Sequence, residues 1–176
     1  MSEEDFYKSE TAFSSDTDMW ATPQDLFDTY NSIFSFNTDV CASESNAKCE
    51  HYFDEEIDGL TQPWLGSCWM NPPYGDPIHP CKSDGRGGHN CNKKLCVTRG
   101  YHDDRYVPGI IDWMRKAYDE SLLRGTVIVC LVPARTDTKW WHEYAKKGSV
   151  EFIKGRLKFG NSKNSAPFPS AVVTFN

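Results

Sequence analysis

A chain of 176 residues with 39% hydrophobic and 14% aromatic content is one domain's worth of sequence, enough for a single good core and too short for a second domain of similar size. No apolar run approaches the length of a membrane span or an export signal, so the expected location is the cytoplasm. A net charge of −6 argues against phosphate binding until its distribution is read: residues 1–60 hold fifteen acids and two bases, residues 61–176 ten acids and seventeen bases. A basic later half can carry nucleic acid while the acidic start faces away or covers the site; an ordinary solvated surface with an acidic tail explains the same numbers. Seven cysteines without an export signal speak for thiols or metal ligands rather than a disulfide framework.

Residues 1–19 are rich in Ser, Thr, Asp and Glu without apolar period, which predicts a disordered acidic arm ahead of a domain at 20–176. Thr22-Pro23 predicts a helix start, with Thr22 as N-cap, Pro23 at the first helical position, Asp25 in the first turn and Leu26, Phe27, Tyr30, Ile33 and Phe34 as the buried stripe. Phe36 to Val40 predicts a short strand ending near Asp39, and the small residues Ala42 and Ser43 after it permit close approach of a ligand. Asp39 reads equally as a polar cap for a helix after that strand. Tyr52 to Glu56 offers an acid for a ribose, or forms an acidic loop.

The stretch Gly66 to Gly75, Gly-Ser-Cys-Trp-Met-Asn-Pro-Pro-Tyr-Gly, is a strand stopped at a rigid corner, because Pro72 and Pro73 remove two backbone donors. At the carboxyl end of a strand in an open α/β sheet, such a corner sits where ligands bind. Asn71 Oδ1 and the Pro72 carbonyl are two acceptors for the hydrogens of a planar amine. They would draw its nitrogen toward tetrahedral geometry and aim its lone pair at an electrophilic methyl group. Pro73 holds the corner, and Tyr74 supplies a face for an extruded base.

Beyond the corner, residues 76–107 have neither helical nor strand period, and so long a connection needs something to organise it. Cys81, Cys91, Cys96 and His102 read Cys-x9-Cys-x4-Cys-x5-His, a candidate structural zinc site, with His79 and His89 as rival nitrogen ligands and Gly85, Gly87 and Gly88 to let the chain fold around an ion. Free thiols in a mobile loop are the plain alternative. Lys82, Arg86, Lys93, Lys94, Arg99 and Arg105 lie in the same segment and form either a phosphate-binding finger or a solvated loop. A helix is predicted over Pro108 to Leu123 with Ile110, Ile111, Met114, Ala117, Tyr118 and Leu122 inward and Gly125 as its end. Val127 to Val132 then reads as a central parallel strand. Arg135 and Lys139 at its carboxyl end read as DNA or substrate contacts, or equally as surface charges, and precede a helix with Trp140, Trp141 and Tyr144 that ends near Gly148. Val150 to Phe159 predicts one or two strands broken at Gly155, and Ala171 to Phe175 a last one, after a loop holding Phe168 between prolines.

Asn-Pro-Pro-Tyr at 71–74, with Trp-Ala-Thr-Pro at 20–23, Leu-Val-Pro-Ala-Arg-Thr-Asp-Thr-Lys-Trp at 131–140 and Ser-Ala-Pro-Phe-Pro-Ser-Ala-Val-Val at 165–173, resembles the phage-type DNA N-6-adenine methyltransferase (Dam-like) family over nearly the whole chain. The resemblance implies a Rossmann-like class I fold, a mostly parallel sheet with a C-terminal antiparallel strand. It implies methyl transfer from S-adenosylmethionine to the exocyclic amine of adenine in double-stranded DNA, with Asn71, Pro72, Pro73 and Tyr74 catalytic. It also implies that Thr22, Pro23, Asp39 and Asp58 lie beside the cofactor, although the glycine-rich turn usual after the first strand is missing here. No membrane and no obligate protein partner are expected. Two rivals share the motif or the segment: a glutamine methyltransferase acting on a protein, and an inactive zinc-stabilised DNA-binding module.

Overall fold

A computed structural model describes residues 20–82, 91, 93–160 and 162–176, so the predicted arm at 1–19 and Gly85, Arg86, Gly87, Gly88 and His89 lie outside the described residues, as do the side chains of Lys94 and Arg99. The elements are α1 (Gln24–Phe34), β1 (Thr38–Asp39), β2 (His51–Tyr52), β3 (Ser67–Met70), α2 (Lys94–Arg99), α3 (Ile110–Arg124), β4 (Val127–Pro133), α4 (Lys139–Glu143), a 3-10 turn at Ala145–Lys147, β5 (Ser149–Phe152) and β6 (Ser170–Phe175). They build a mixed α/β fold on one six-stranded sheet of order β2-β1-β3-β4-β6-β5. The neighbours β2, β1, β3 and β4 pair parallel, while the C-terminal β6 runs antiparallel to both β4 and β5.

The two central strands are apolar on both faces because both are covered. Cys68, Trp69 and Met70 of β3 are each fully buried, and so are Ile128 to Val132 of β4. Trp69 is the hub of one packing layer, with Phe27, Tyr30 and Phe36 at ring separations of 5.5, 6.3 and 5.4 Å, which seats α1 on the sheet. The Tyr30 hydroxyl donates to Glu151 at 2.9 Å and ties the same helix to β5. Ile110, Trp113, Met114 and Ala117 form the buried stripe of α3, which Gly125 closes in the left-handed region at φ 62°.

Four local expectations are corrected. Ile33 and Leu122 are 67% and 68% exposed, so the apolar stripes of α1 and α3 are one residue narrower than their period suggests. Thr22 makes no capping bond, and Pro23 is itself the residue before the first helical turn; the Thr22 hydroxyl is drawn away to Asn71. Strand structure after Val150 ends at Phe152, where Ile153 still reaches Ser170 O before the chain turns away. Residues 76–107 are not structureless: they contain α2, and their two limbs are joined by paired 2.9 Å bonds between Ile78 and Val107.

Candidate active site and metal cluster

The carboxyl ends of β1, β2, β3 and β4 lie along one edge of the sheet, and Thr22, Asp39, Asp58 and Asn71 come to this edge. Asn71 comes directly after β3. Its Nδ2 donates to the Trp20 carbonyl at 2.7 Å and to the Thr22 hydroxyl at 3.1 Å, and its Oδ1 accepts from the Tyr74 hydroxyl at 2.6 Å. Both amide hydrogens are thus turned inward, and the unspent capacity of the side chain is the second lone pair of Oδ1. The corner is held from behind as well, because the Arg135 guanidinium donates to the Tyr74 carbonyl at 3.1 Å and Gly75 O accepts from Ile110 N at 2.9 Å. Gly109 seats α3 against this turn. A Cβ there would stand 2.3 Å from Pro77 N and 2.7 Å from Gly75 O.

Tyr74 is more enclosed than a stacking platform requires. Only 6% of it is exposed, and its ring meets Trp20, Phe159 and Phe168 at 6.4, 6.2 and 5.6 Å, an aromatic box that sequence spacing did not reveal apart from Phe168. Burial pushes its phenol far above the ordinary tyrosine value, so the hydroxyl stays a donor to Asn71 at any working pH.

A small polar recess beside Asn71 is lined by Ala21, Thr22, Asp39, Cys41 and Asn46. Asp39 is 3% exposed and its carboxylate accepts from Cys41 N at 3.4 Å and Lys48 N at 3.1 Å. Burial nevertheless wins over these bonds and pushes its pKa up to about 7. Cys41 also belongs to the wall of a larger cleft of about 500 Å³, which continues past the ends of β1 and β2 along Ala42 to Glu44, Phe53 to Glu56, Asp58 and Gly59. Thr22, Asp39 and Asp58 therefore border these two adjoining spaces, whereas Pro23 borders neither. Asp58 sits at φ 54° with its carboxylate accepting from Leu60 N at 3.1 Å, and Gly59 is required because a Cβ would lie 2.1 Å from the Val40 carbonyl. The opposite wall comes from Arg105 to Pro108 and Trp113.

Cys81, Cys91, Cys96 and His102, spread over twenty-two residues, converge so that one ligand atom from each lies within 4.8 Å of the others. Cys81 Sγ and Cys96 Sγ are 3.5 Å apart, too far for a disulfide, and none of the seven cysteines is disulfide-bonded. Four ligands at zinc–thiolate bond lengths of about 2.3 Å have edges of about 3.8 Å, close to that separation. The Lys93 backbone N–H on Cys91 draws its thiol below the ordinary cysteine value. His79 is no ligand in this set; its ring packs on Tyr106 at 5.2 Å. Lys82, Lys93 and Arg105 of the same segment are exposed, with Lys93 Nζ donating to His79 O at 2.9 Å.

The family model described as DNA N-6-adenine-methyltransferase (Dam) matches residues 8–172. The chain belongs to this family. Among its relatives in the Dam family, the DNA N-6-adenine-methyltransferase of Haemophilus phage HP1 (strain HP1c1) is 43% identical over 154 residues, covering 85% of this chain and 70% of the relative. The protein of the same name from Escherichia phage T1 is 26% identical over 161 residues, covering 86% of this chain and 61% of the relative. Both relatives are longer than the part they share with this chain. Among the described residues no helix is long and apolar enough to cross a membrane.

Proposed function

We propose that this Dam-family chain is a Rossmann-like class I methyltransferase that transfers a methyl group from S-adenosylmethionine to the exocyclic amine of adenine in double-stranded DNA. The observation that carries the reading is the state of the Asn71 amide. With both N–H groups spent on Trp20 and Thr22, the side chain can turn only its oxygen toward an incoming group, and an amine hydrogen is what that oxygen would accept. Asn71 Oδ1 and the Pro72 carbonyl hold the two amine hydrogens, which concentrates the nitrogen lone pair and costs little reorganisation because both acceptors are preset. Pro73 stiffens the corner, and Tyr74 both fixes Oδ1 and offers its ring edge to the base, which must part Trp20 and Phe168 to reach it.

S-adenosylmethionine supplies the electrophilic methyl group. The residues lining the cleft and the recess suit it: the cleft is large enough for a nucleoside, acids at Glu55, Glu56 and Asp58 suit ribose hydroxyls, and the Asp39 carboxylate in the adjoining recess suits a cationic methionyl end. Thr22, in the same recess, links this end to Asn71. In this reading the exposed Lys82, Lys93 and Arg105, together with Lys139, meet DNA phosphates.

The experiment is methyl transfer from labelled S-adenosylmethionine to duplex DNA and, separately, to glutamine-containing peptides, across a range of salt. Label in DNA with steep salt dependence supports the reading. Transfer to peptide glutamine alone favours the protein-directed rival, and salt-dependent DNA binding without cofactor binding favours an inactive DNA-binding module.

A further inference from the structure

The Cys and His cluster is not a remote ornament, because the segment it closes spans from the catalytic corner to the cofactor cleft. One limb leaves the corner at Gly75 and runs through Ile78 to Cys81; the other returns from His102 through Asp103 and Val107 to Pro108. The limbs are fastened by Cys81 N donating to Asp103 O at 2.8 Å and by the two Ile78 to Val107 bonds. Val107 and Pro108 then stand in the wall of the cleft, and the Tyr106 hydroxyl donates to Asp112 at 2.6 Å, where α3 begins. Past these fastenings, one ligand atom from each of Cys81, Cys91, Cys96 and His102 lies within 4.8 Å of the others.

Resting on the cofactor reading above, we propose that Cys81, Cys91, Cys96 and His102 hold one structural zinc ion, and that this ion braces the Arg105 to Pro108 wall so that metal occupancy sets the affinity for the cofactor. Three thiolates and one imidazole on Zn²⁺ form a closed tetrahedral set with no position left for a reacting water, which fits a brace and not a reaction centre. The two spatial demands of the site agree with this assignment: the sulfurs of Cys81 and Cys96 are already near a tetrahedral edge, and Cys96 lies within α2, whose left-handed end at Gly100 turns the chain back toward His102. Without the ion the wall is ordered for a fraction of the time, and affinity falls by that fraction. A wall in place one-tenth of the time weakens binding about tenfold.

The test uses the full chain purified without chelators. Metal analysis is expected to give close to one zinc per chain, and cobalt exchange to give the visible spectrum of a tetrahedral thiolate site. Titration calorimetry with S-adenosylhomocysteine, before and after zinc removal and after zinc is restored, is expected to show a loss of about tenfold that is reversed by the metal. Cys96→Ser is expected to lower zinc retention and cofactor affinity together; should that variant fold poorly, Cys91→His, which retains a ligand, is expected to hold zinc and keep affinity. Zinc-free protein of full cofactor affinity overturns the metal site, and bound zinc whose removal leaves affinity unchanged overturns the brace. Zinc-replete protein that binds no S-adenosylhomocysteine refutes the cofactor reading instead, so the two failures are told apart.

Discussion

Tyr74→Phe isolates what one hydroxyl does for the Asn71 corner. It removes the 2.6 Å bond to Asn71 Oδ1 and leaves the ring against Trp20, Phe159 and Phe168. A buried hydrogen bond of this type is worth about 1 kcal/mol net, and Asn71, being half-buried, recovers part of the loss from water. If the whole bond serves to orient the amide, turnover falls about fivefold. Stability falls by about 1 kcal/mol or less. Because burial keeps the phenol protonated, the ratio of wild-type to variant rate is expected to be flat from mildly acidic to alkaline pH. Tyr74→Ala differs in kind. It also opens a cavity beneath three aromatic rings, worth about 3 to 5 kcal/mol, and loses the edge offered to the base. Single-turnover transfer with saturating DNA and cofactor, alongside thermal denaturation, separates these cases. A Tyr74→Phe protein equal to wild type in both measurements would refute the orienting role, and one as slow as Asn71→Ala would give the phenol a part in the chemistry itself.

Two further outcomes concern the proposed cofactor cleft. Asp39 has its pKa raised to about 7 by burial, so the folded chain binds its proton more tightly than the unfolded chain does. Stability contributed by the neutral acid is complete below the unfolded value near 4 and is lost as pH rises through about 7. Conversely, a cationic methionyl end needs the carboxylate, so cofactor affinity is expected to rise with pH up to about 7 by at most tenfold per unit, then level off. Calorimetry showing a flat profile in wild type, or the same profile in Asp39→Asn, would count against that contact. Gly59→Ala puts a methyl group 2.1 Å from the Val40 carbonyl, so a loss of about 1 to 3 kcal/mol in denaturant unfolding and weaker cofactor binding are expected; an unchanged midpoint would show that the cleft floor yields freely.

Much of this was legible in the sequence because local rules and tertiary packing agree. The stop imposed by Pro72 and Pro73, the apolar run of β4 and the glycine end of α3 each declare themselves within a few residues. The ligand spacing of Cys81, Cys91, Cys96 and His102 likewise foretold their convergence. The features that stayed hidden depend on distant partners. Thr22 has the makings of a cap, yet Asn71, forty-nine positions away, competes for its hydroxyl. Glu120 on α3 is buried, with Trp64 N, Lys116 and Arg124 all reaching it, and no local pattern announces that. Arg135 has the look of a substrate contact and is found supporting the Tyr74 carbonyl. The aromatic box around Tyr74 draws from three separated stretches, and only the fold brings them together.

Whether the Asn71 corner activates the amine of adenine is read from mass spectrometry of nucleosides from duplex DNA treated with S-adenosylmethionine and either wild-type protein or Asn71→Ala. The wild type is expected to yield N6-methyldeoxyadenosine, and the variant a rate on the order of a hundredfold to a thousandfold lower, with cofactor and DNA binding largely retained. Methylation of adenine by Asn71→Ala at near wild-type rate, or wild-type DNA in which the label rests on another base, would contradict that activation.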